Sequence, residues 1–249
     1  MSPAEAVLVG VSFIAGAQNA LAGGGMFLMF PALLYMGLDP RLANITLTIA
    51  LFPSQVTTSL AGRRLMTGAV GIPLRNLVAI SLLGGALGAV LLLATPVGIF
   101  THLVPYLVLF ATVVFAWGSF FDARRTAGAP PPISPRMAML AQTGIAVYGG
   151  YFGAGIGFLM LAALTSAGLG LRHAGATKNL LAAAMNVAAV VIFVLRVQVD
   201  WRLVLLVALA AAAGGQFGAY LLRRMNETAL RVGITAIGLM LTVALFLRA

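Results

Sequence analysis

Cysteine is absent from this chain of 249 residues, and charged residues make up only 8 % of it. The missing cysteine excludes disulfide bonds and thiolate chemistry, so the chain has neither a disulfide framework nor a cysteine nucleophile. A soluble domain is usually about a quarter charged. A surface with so little charge would not stay dissolved, and an ordinary soluble fold is therefore excluded as well.

Catalytic motifs are missing too. The sequence holds no HExxH, Walker A or GxSxG motif and no paired His/Asp metal cluster. The glycines Gly23, Gly24 and Gly25 do not form a phosphate loop, because no GK[ST] follows them. We therefore expect neither an enzyme nor ATP-driven transport by this chain alone, and we expect no metal and no other cofactor.

Long apolar segments fill most of the chain instead. Hydrophobic residues make up 61 % of it, and charge-free stretches cover 6–38, 77–121, 137–171, 203–222 and 232–247. A membrane-spanning helix needs about 20 apolar residues, so the sequence predicts an all-α integral membrane protein with several spans. The chain has a net charge of +10, and its basic residues lie mainly between the apolar segments. This distribution is typical of the signal that sets membrane topology and not of nucleic-acid binding.

The sequence contains an internal repeat with an offset of about 130 residues. AGGGMFLM at 22–29 returns as GAGIGFLM at 153–160, and GGALGA at 84–89 returns as GGQFGA at 214–219. Two related membrane repeats around a central site are typical of secondary transporters. We predict a first repeat over 1–121, a cytoplasmic linker over 122–136 and a second repeat over 137–249.

Each repeat is predicted to hold five helical segments. They cover about 5–22, 26–37, 42–61, 72–94 and 97–121, and about 137–153, 157–169, 173–195, 202–223 and 229–247. An odd number of crossings would give the second repeat the inverted topology. Inversion leaves only Arg41, Arg196, Arg202 and Arg248 of the 15 basic residues outside, as the positive-inside rule prefers, and it puts both termini on the outer side.

Glycines interrupt the first apolar run of each repeat. They are Gly23, Gly24 and Gly25 in the first repeat and Gly153, Gly155 and Gly157 in the second. Each run is too long for one straight span and too short for two. The sequence therefore predicts Gly-broken or re-entrant helices at the start of each repeat, with backbone that faces a substrate site. The alternative is that these glycines only allow close helix packing.

Polar residues share one helical face in the third segment of each repeat. They are Asn44, Thr48, Gln55 and Ser59, and Gly175, Asn179 and Asn186. At an offset of 131, Thr48 corresponds to Asn179, and Gln55 corresponds to Asn186. Amides and hydroxyls can hydrogen-bond an anion without adding a fixed charge, so we expect both faces to bind substrate. Interhelical hydrogen bonding is the alternative.

Lys178 lies about five residues inside the eighth predicted segment, and its counterpart in the first repeat is Leu47. A cation at that depth is costly unless it snorkels, pairs with a carboxylate or meets an anionic substrate. No carboxylate is near it in sequence. We therefore expect Lys178, together with the preceding Thr177, to contact an anion, with Arg172 and His173 at the entrance. Snorkelling is the alternative.

The five acidic residues all lie at the ends of apolar segments: Glu5, Asp39, Asp122, Asp200 and Glu227. A proton pump that depends on a carboxylate in mid-membrane is therefore disfavoured, as is a cation channel with an acidic ring. A site made of backbone amides, helix N-termini, side-chain amides and one lysine suits a small anion.

These motifs resemble the sulfite exporter TauE/SafE family, also called the toluene-sulfonate uptake permease family. The matching positions are 22–25, Pro31, Gly37 and 43–46, and 149–157 and 175–179. The resemblance implies a carrier for small sulfur-containing or organic anions, such as sulfite, thiosulfate, sulfoacetate or another sulfonate, in a prokaryotic inner membrane. The first repeat lacks a lysine at the position of Lys178, which leaves open whether the two halves contribute equally.

The sequence thus predicts a secondary transporter of a small anion that works by alternating access, with one repeat rocking against the other. In this hypothesis Lys178 supplies positive charge, and Gln55 and Asn186 orient the substrate. A passive anion channel and a non-transporting membrane scaffold are the alternatives. The sequence is compatible with a coupled proton and with a homo-oligomer, and it identifies neither.

Overall fold

The structure is a computed structural model, described here for residues 3–22, 25–120, 133–221 and 227–247. Over these residues the chain forms ten α-helices, namely α1 Pro3–Ala22, α2 Met26–Tyr35, α3 Pro40–Gly62, α4 Leu74–Ala94, α5 Val97–Phe120, α6 Pro135–Tyr151, α7 Ile156–Ser166, α8 Leu171–Arg196, α9 Trp201–Leu221 and α10 Glu227–Phe246, and a 3-10 helix Arg63–Leu65 after α3. The all-α prediction is confirmed, and no predicted helix end is wrong by more than three residues. Most of the predicted linker 122–136, including Asp122, lies outside the described residues.

Among the described residues, three helices are long and apolar enough to cross a membrane. They are Leu74–Ala94, Val97–Val114 and Arg172–Arg196. Apolar side chains are exposed along them, such as Leu83 at 73 % and Leu195 at 75 % of their full surface. A continuous apolar exterior of this kind is stable against lipid and not against water.

The helices form two compact units, and each unit draws on both halves of the sequence. Unit 1 comprises Met1–Leu51, Thr95–Ala116 and Val197–Ala249, and unit 2 comprises Phe52–Ala94 and Trp117–Arg196. In unit 1 α1 packs on α9, and in unit 2 α6 packs on α4. The first helix of each half therefore packs on the fourth helix of the other half.

The repeated GGxxGA motif lies at these two helix contacts. In unit 2 a Cβ atom on Gly88 of α4 would overlap the carbonyl oxygen of Val147 on α6. In unit 1 a Cβ atom on Gly214 of α9 would overlap the carbonyl oxygen of Phe13 on α1. Small residues allow helices to approach this closely within a membrane, so this motif serves helix packing in both units.

Both helix pairs run parallel. In unit 2 Gln142 Nε2 donates to Ser81 Oγ at 2.9 Å, and the Gly88–Val147 approach lies further along both helices. In unit 1 the first turns of α1 and α9 are joined by an ion pair of 3.1 Å between Glu5 and Arg202. Hydrogen bonds between polar side chains of neighbouring helices stabilise membrane bundles modestly, at about 0.6 kcal/mol on average.

Two other acidic residues of unit 1 lie immediately before helices and cap them. Asp39 Oδ1 accepts hydrogen bonds from the backbone N–H groups of Arg41 and Leu42, both at 3.0 Å, at the start of α3. Asp200 Oδ1 accepts from Arg202 at 2.9 Å and from Leu203 at 3.3 Å at the start of α9. Aspartate is a favoured N-cap residue, so these two carboxylates serve helix ends, as their positions in the sequence predict.

Helices α6 and α7 form a hairpin, in which the start of α6 lies beside the end of α7. The N–H of Ile133, just before α6, donates to the carbonyl oxygen of Ser166, the last residue of α7, at 3.0 Å. The turn between the helices holds Gly153 at φ 81° and Gly155 at φ 76°, a left-handed backbone that glycine adopts without strain. At 17 and 11 residues, the helices are about 25 and 16 Å long. Both are shorter than the bilayer core of about 30 Å, which agrees with the prediction of a Gly-broken or re-entrant pair.

The predicted Gly-broken pair is thus confirmed in the second half of the chain. In the first half, α1 ends at Ala22 and α2 begins at Met26, which confirms a break at the predicted place. Gly25 is buried in front of α2. Gly23 and Gly24 lie outside the described residues.

Basic residues gather at one end of unit 2. The end of α3 lies at the start of α8, because a Cβ on Gly62 would be 3.3 Å from the Cβ of Ala176. The starts of α4 and α6 lie together because these helices run parallel, and the end of α7 lies beside the start of α6. The basic residues at these helix ends are Arg63, Arg64, Arg75, Arg136 and Arg172.

Candidate functional site

Lys178 lies beside the start of α7, within unit 2. A Cβ atom on Gly157 would be 3.7 Å from Lys178 Nζ and 3.9 Å from its Cδ. Because α8 begins at Leu171, two residues earlier than predicted, Lys178 lies about 10 Å along the helix from its first residue. The amine therefore reaches the helix break between α6 and α7.

No carboxylate neutralises Lys178 among the described residues of unit 2. The segments of that unit contain a single acidic residue, Asp122, which lies outside the described part of the chain. No hydrogen bond or ion pair of the described residues involves the Lys178 amine. A cation within an apolar bundle is costly without a counter-charge, so the arrangement favours a bound anion.

The start of α7 adds backbone donors to the same place. The N–H groups of Phe158 and Leu159 already bond the carbonyl oxygen of Gly155, at 3.1 and 3.4 Å. The N–H groups of Ile156 and Gly157, in the first turn, have no acceptor within their own helix. A helix N-terminus carries partial positive charge. Lys178 and the start of α7 therefore present positive charge to one location, and Gly157 puts no side chain between them.

Gln55 and Asn186 bind each other. Asn186 Nδ2 donates to Gln55 Oε1 at 2.6 Å, and the two residues are 131 positions apart. Their contact is interhelical, which the sequence left open as the alternative to substrate binding. The bond occupies one polar group of each amide, and each amide has a second one.

Helix α8 and the part of α3 within unit 2 run antiparallel. Gln55 of α3 meets Asn186 of α8, and further along α3 Gly62 meets Ala176, nearer the start of α8. These helices are the third of their halves and correspond to each other in the repeat. Two corresponding helices therefore run in opposite directions where they touch.

Thr177 binds the loop that follows α3. Its Oγ1 accepts a hydrogen bond from the backbone N–H of Thr67 and donates one to the carbonyl oxygen of Thr67, both at 3.1 Å. The residue before Lys178 is therefore tied to a loop at the basic end of unit 2. The sequence predicts Thr177 as a substrate ligand, whereas in the structure its hydroxyl is hydrogen-bonded to the backbone of Thr67.

The remaining predicted site residues are divided between the units. Asn44 and Thr48 lie on the part of α3 within unit 1, where Asn44 is buried and Thr48 Oγ1 donates to the carbonyl oxygen of Asn44 at 2.9 Å. Asn179 is partly buried on α8, next to Lys178. Unit 2 thus brings together Lys178 and the start of α7, with Gln55 and Asn186 further along α8.

Sequence reasoning missed three residues that the structure uses. Gln142 and Ser81 form a buried hydrogen bond between α6 and α4. A lone amide within an apolar segment was the signal for Gln142. No sequence pattern indicated Thr67, because it bonds Thr177 through its backbone atoms. Its position depends on how the loop after α3 folds.

Comparison with known proteins agrees with the fold. A family model described as "Sulfite exporter TauE/SafE" matches residues 8–245. A probable membrane transporter protein of Haemophilus influenzae is 28 % identical over 242 residues, which cover 95 % of this chain and 92 % of the relative. The probable membrane transporter protein YfcA of Escherichia coli K12 is 25 % identical over 244 residues, 96 % of this chain and 88 % of the relative.

A further relative is the probable membrane transporter protein ORF9 of Sinorhizobium sp. It is 30 % identical over 216 residues, which cover 86 % of this chain and 81 % of the relative. No solved structure matches the chain. The similarity therefore extends over nearly the whole chain and concerns membrane transporters.

Proposed function

The chain belongs to the sulfite exporter TauE/SafE family of membrane transporters, and from this premise we propose that it carries a small sulfur-containing or organic anion across the prokaryotic inner membrane. Sulfite, thiosulfate, sulfoacetate and other sulfonates form the substrate class. Transport is secondary and works by alternating access. The anion binds at the site in unit 2 formed by Lys178 and the start of α7. The lipid bilayer surrounds the chain.

One observation carries this proposal: the Lys178 amine lies beside the first turn of α7, with no described carboxylate in unit 2. A charge-assisted hydrogen bond contributes about 1.5–3 kcal/mol. The backbone N–H groups of Ile156 and Gly157 can bind a second oxygen of the same anion. The site is therefore suited to several negatively charged oxygens on one small molecule.

We propose further that the two halves have inverted topology, with the basic end of unit 2 in the cytoplasm and both termini outside. The antiparallel course of the corresponding helices α3 and α8 supports inversion. The gathering of Arg63, Arg64 and Arg172 at one end, with Arg196 at the other end of α8, supports the orientation. The glycine breaks then lie at depth in the bilayer, where non-helical backbone survives only inside protein or beside water.

The test is uptake by proteoliposomes that contain the purified full chain. A panel of labelled sulfite, thiosulfate, sulfoacetate, sulfate and a small carboxylate identifies the substrate. Saturable counterflow supports a carrier, whereas unitary currents of channel size would replace it with an anion channel. A pH gradient imposed across the membrane accelerates uptake if a proton is coupled to it.

Lys178→Ala is the decisive variant, with Arg63→Ala as its matched control. We expect Lys178→Ala to lower kcat/KM for uptake by about 10- to 150-fold, which corresponds to about 1.5–3 kcal/mol. Arg63 is exposed at the end of α3, and its removal changes uptake little. Equal losses in the two variants would remove Lys178 from the site.

A further inference from the structure

A groove of about 500 Å³ opens at the basic end of unit 2. Its walls come from the loop after α3, the turn between α7 and α8, and the first turn of α8. Its lining includes Arg64, Thr67, Gly170 and His173. Lys178 is not part of the lining, and it lies about 7.5 Å further along α8 than His173. The groove is therefore a separate place from the amine beside α7.

The loop wall of the groove is fixed by hydrogen bonds. Both backbone groups of Thr67 bond the hydroxyl of Thr177. Behind Thr67, Ala69 and Ile72 exchange two backbone hydrogen bonds of 3.1 and 2.8 Å around a tight turn. The turn at the opposite wall is held by the bond from Leu169 N–H to the Leu164 carbonyl oxygen, at 3.1 Å. The groove is therefore preformed, as small-molecule sites usually are.

The lining favours negative charge. Arg64 presents a guanidinium group with several donors in a fixed plane, and His173 offers a ring N–H donor. Arg63 and Arg172, which neighbour these residues in sequence, are exposed and add to the positive field. The described residues of unit 2 include no carboxylate to oppose it.

We propose that this groove is a second anion site, which binds negatively charged oxygens on sulfur or phosphorus. Two sources share this chemistry: a free sulfonate and the phosphate of an anionic phospholipid headgroup. The choice of a sulfonate as one source rests on the proposed function, because sulfonates belong to the substrate class proposed for the chain. The charge and shape of the groove do not depend on that function.

The absence of cysteine in the natural chain makes a direct test available. Met66 lines the groove and carries no charge, so Met66→Cys introduces a single thiol there. The full chain is reconstituted in phosphatidylcholine liposomes, and its modification by N-ethylmaleimide is followed by intact mass with and without sulfoacetate. We expect sulfoacetate to slow modification several-fold.

Three further variants show which residues are needed for the protection. Arg64→Ala combined with His173→Ala abolishes it, whereas Lys178→Ala retains it because Lys178 belongs to the other site. Arg75→Ala also retains it, since Arg75 is exposed at the same end and does not line the groove. Loss of protection in Arg75→Ala to the same extent as in the Arg64/His173 pair would reduce the groove to a general surface charge and overturn the proposal.

A second arm distinguishes the two sources. Liposomes that contain phosphatidylglycerol are compared with phosphatidylcholine alone, without sulfoacetate. Slower modification in phosphatidylglycerol, lost in the Arg64/His173 variant, identifies a lipid headgroup as the ligand. Unchanged modification with both sulfoacetate and phosphatidylglycerol overturns the proposal.

The two proposals fail in distinguishable ways. If the unmodified chain takes up no anion of the panel but Met66→Cys is protected, the transport function fails and the groove stands. If uptake proceeds and depends on Lys178 while protection is absent in both lipids, the groove fails and the transport site stands.

Discussion

Asn186 Nδ2 donates a hydrogen bond to Gln55 Oε1 at 2.6 Å, and the two residues are related by the 131-residue offset of the internal repeat. When two related halves are exchanged by a twofold axis, a residue can contact its own counterpart only close to that axis. In the proposed inverted arrangement, this pair therefore lies close to the axis. The inverted arrangement itself stays a prediction.

The first prediction concerns this amide pair. Gln55→Ala and Asn186→Ala should each destabilise the protein by about 0.5–1.5 kcal/mol. The first leaves the buried Asn186 amide without its partner, and the second leaves the partly buried Gln55 amide without its partner. The double variant should lose less than the sum of the two, since both remove the same bond. Thermal unfolding of the four proteins in detergent measures this coupling.

Asn179→Ala is the control for the amide pair. It removes an amide from the same helix, and no hydrogen bond of the described residues involves the Asn179 side chain. We expect a smaller change in melting temperature than for Asn186→Ala. Fully additive losses in the double variant would show that the bond contributes nothing measurable.

The second prediction compares two glycines of the α6–α7 break. Gly157→Ala should leave stability nearly unchanged, because its Cβ would meet no atom nearer than 3.7 Å. It should raise the KM for uptake, because the added methyl group stands beside the Lys178 amine. Gly155→Ala should instead destabilise the fold by about 1–2 kcal/mol, since φ is 76° there.

Melting temperature and uptake kinetics separate these two effects. A change in KM without a change in melting temperature for Gly157→Ala supports a substrate site at the start of α7. Unaltered uptake by Gly157→Ala would mean that the break serves packing alone.

The third prediction concerns the hydroxyl that holds the loop after α3. Thr177→Val keeps the shape of the side chain and removes both bonds to Thr67, at an expected cost of about 1–3 kcal/mol. Thr177→Ser keeps a hydroxyl and should restore most of the stability. Hydrogen exchange of the Thr67 amide measures the release of the loop, and equal protection in the Val and Ser variants would contradict the contact.

The fourth prediction concerns helix packing. Gly88→Ala should destabilise the protein by about 1–3 kcal/mol, because the new Cβ overlaps the carbonyl oxygen of Val147. Gly144→Ala is the control on α6, where a Cβ would meet nothing within 4 Å. That control should be neutral or slightly stabilising, since alanine is the better helix former. Similar melting temperatures for the two variants would rule out the close approach of α4 and α6.

The repeated glycine motifs show which features of this protein can be predicted from sequence and which cannot. The 22–29 and 153–160 segments and the GGxxGA motifs are equally clear as repeats. Only the structure distinguishes their roles: Gly153 and Gly155 make a left-handed turn between two helices, whereas Gly88 and Gly214 bring helices together. The sequence alone is compatible with a helix break and with close helix packing at such glycines. The choice between them depends on which atoms lie opposite the glycine in the folded chain.

The sequence by itself determined that this is an all-α membrane protein, with ten α-helices over the described residues and a break before α2 and before α7. Runs of apolar residues, their lengths and the glycines that interrupt them are local properties, and in a bilayer they leave the backbone little choice but helix. Tertiary structure alone decided that the Lys178 amine reaches Gly157, that Gln55 meets Asn186, and that the Thr177 hydroxyl holds Thr67. Each of these contacts joins residues far apart in the chain, and its geometry depends on how helices pack and loops close.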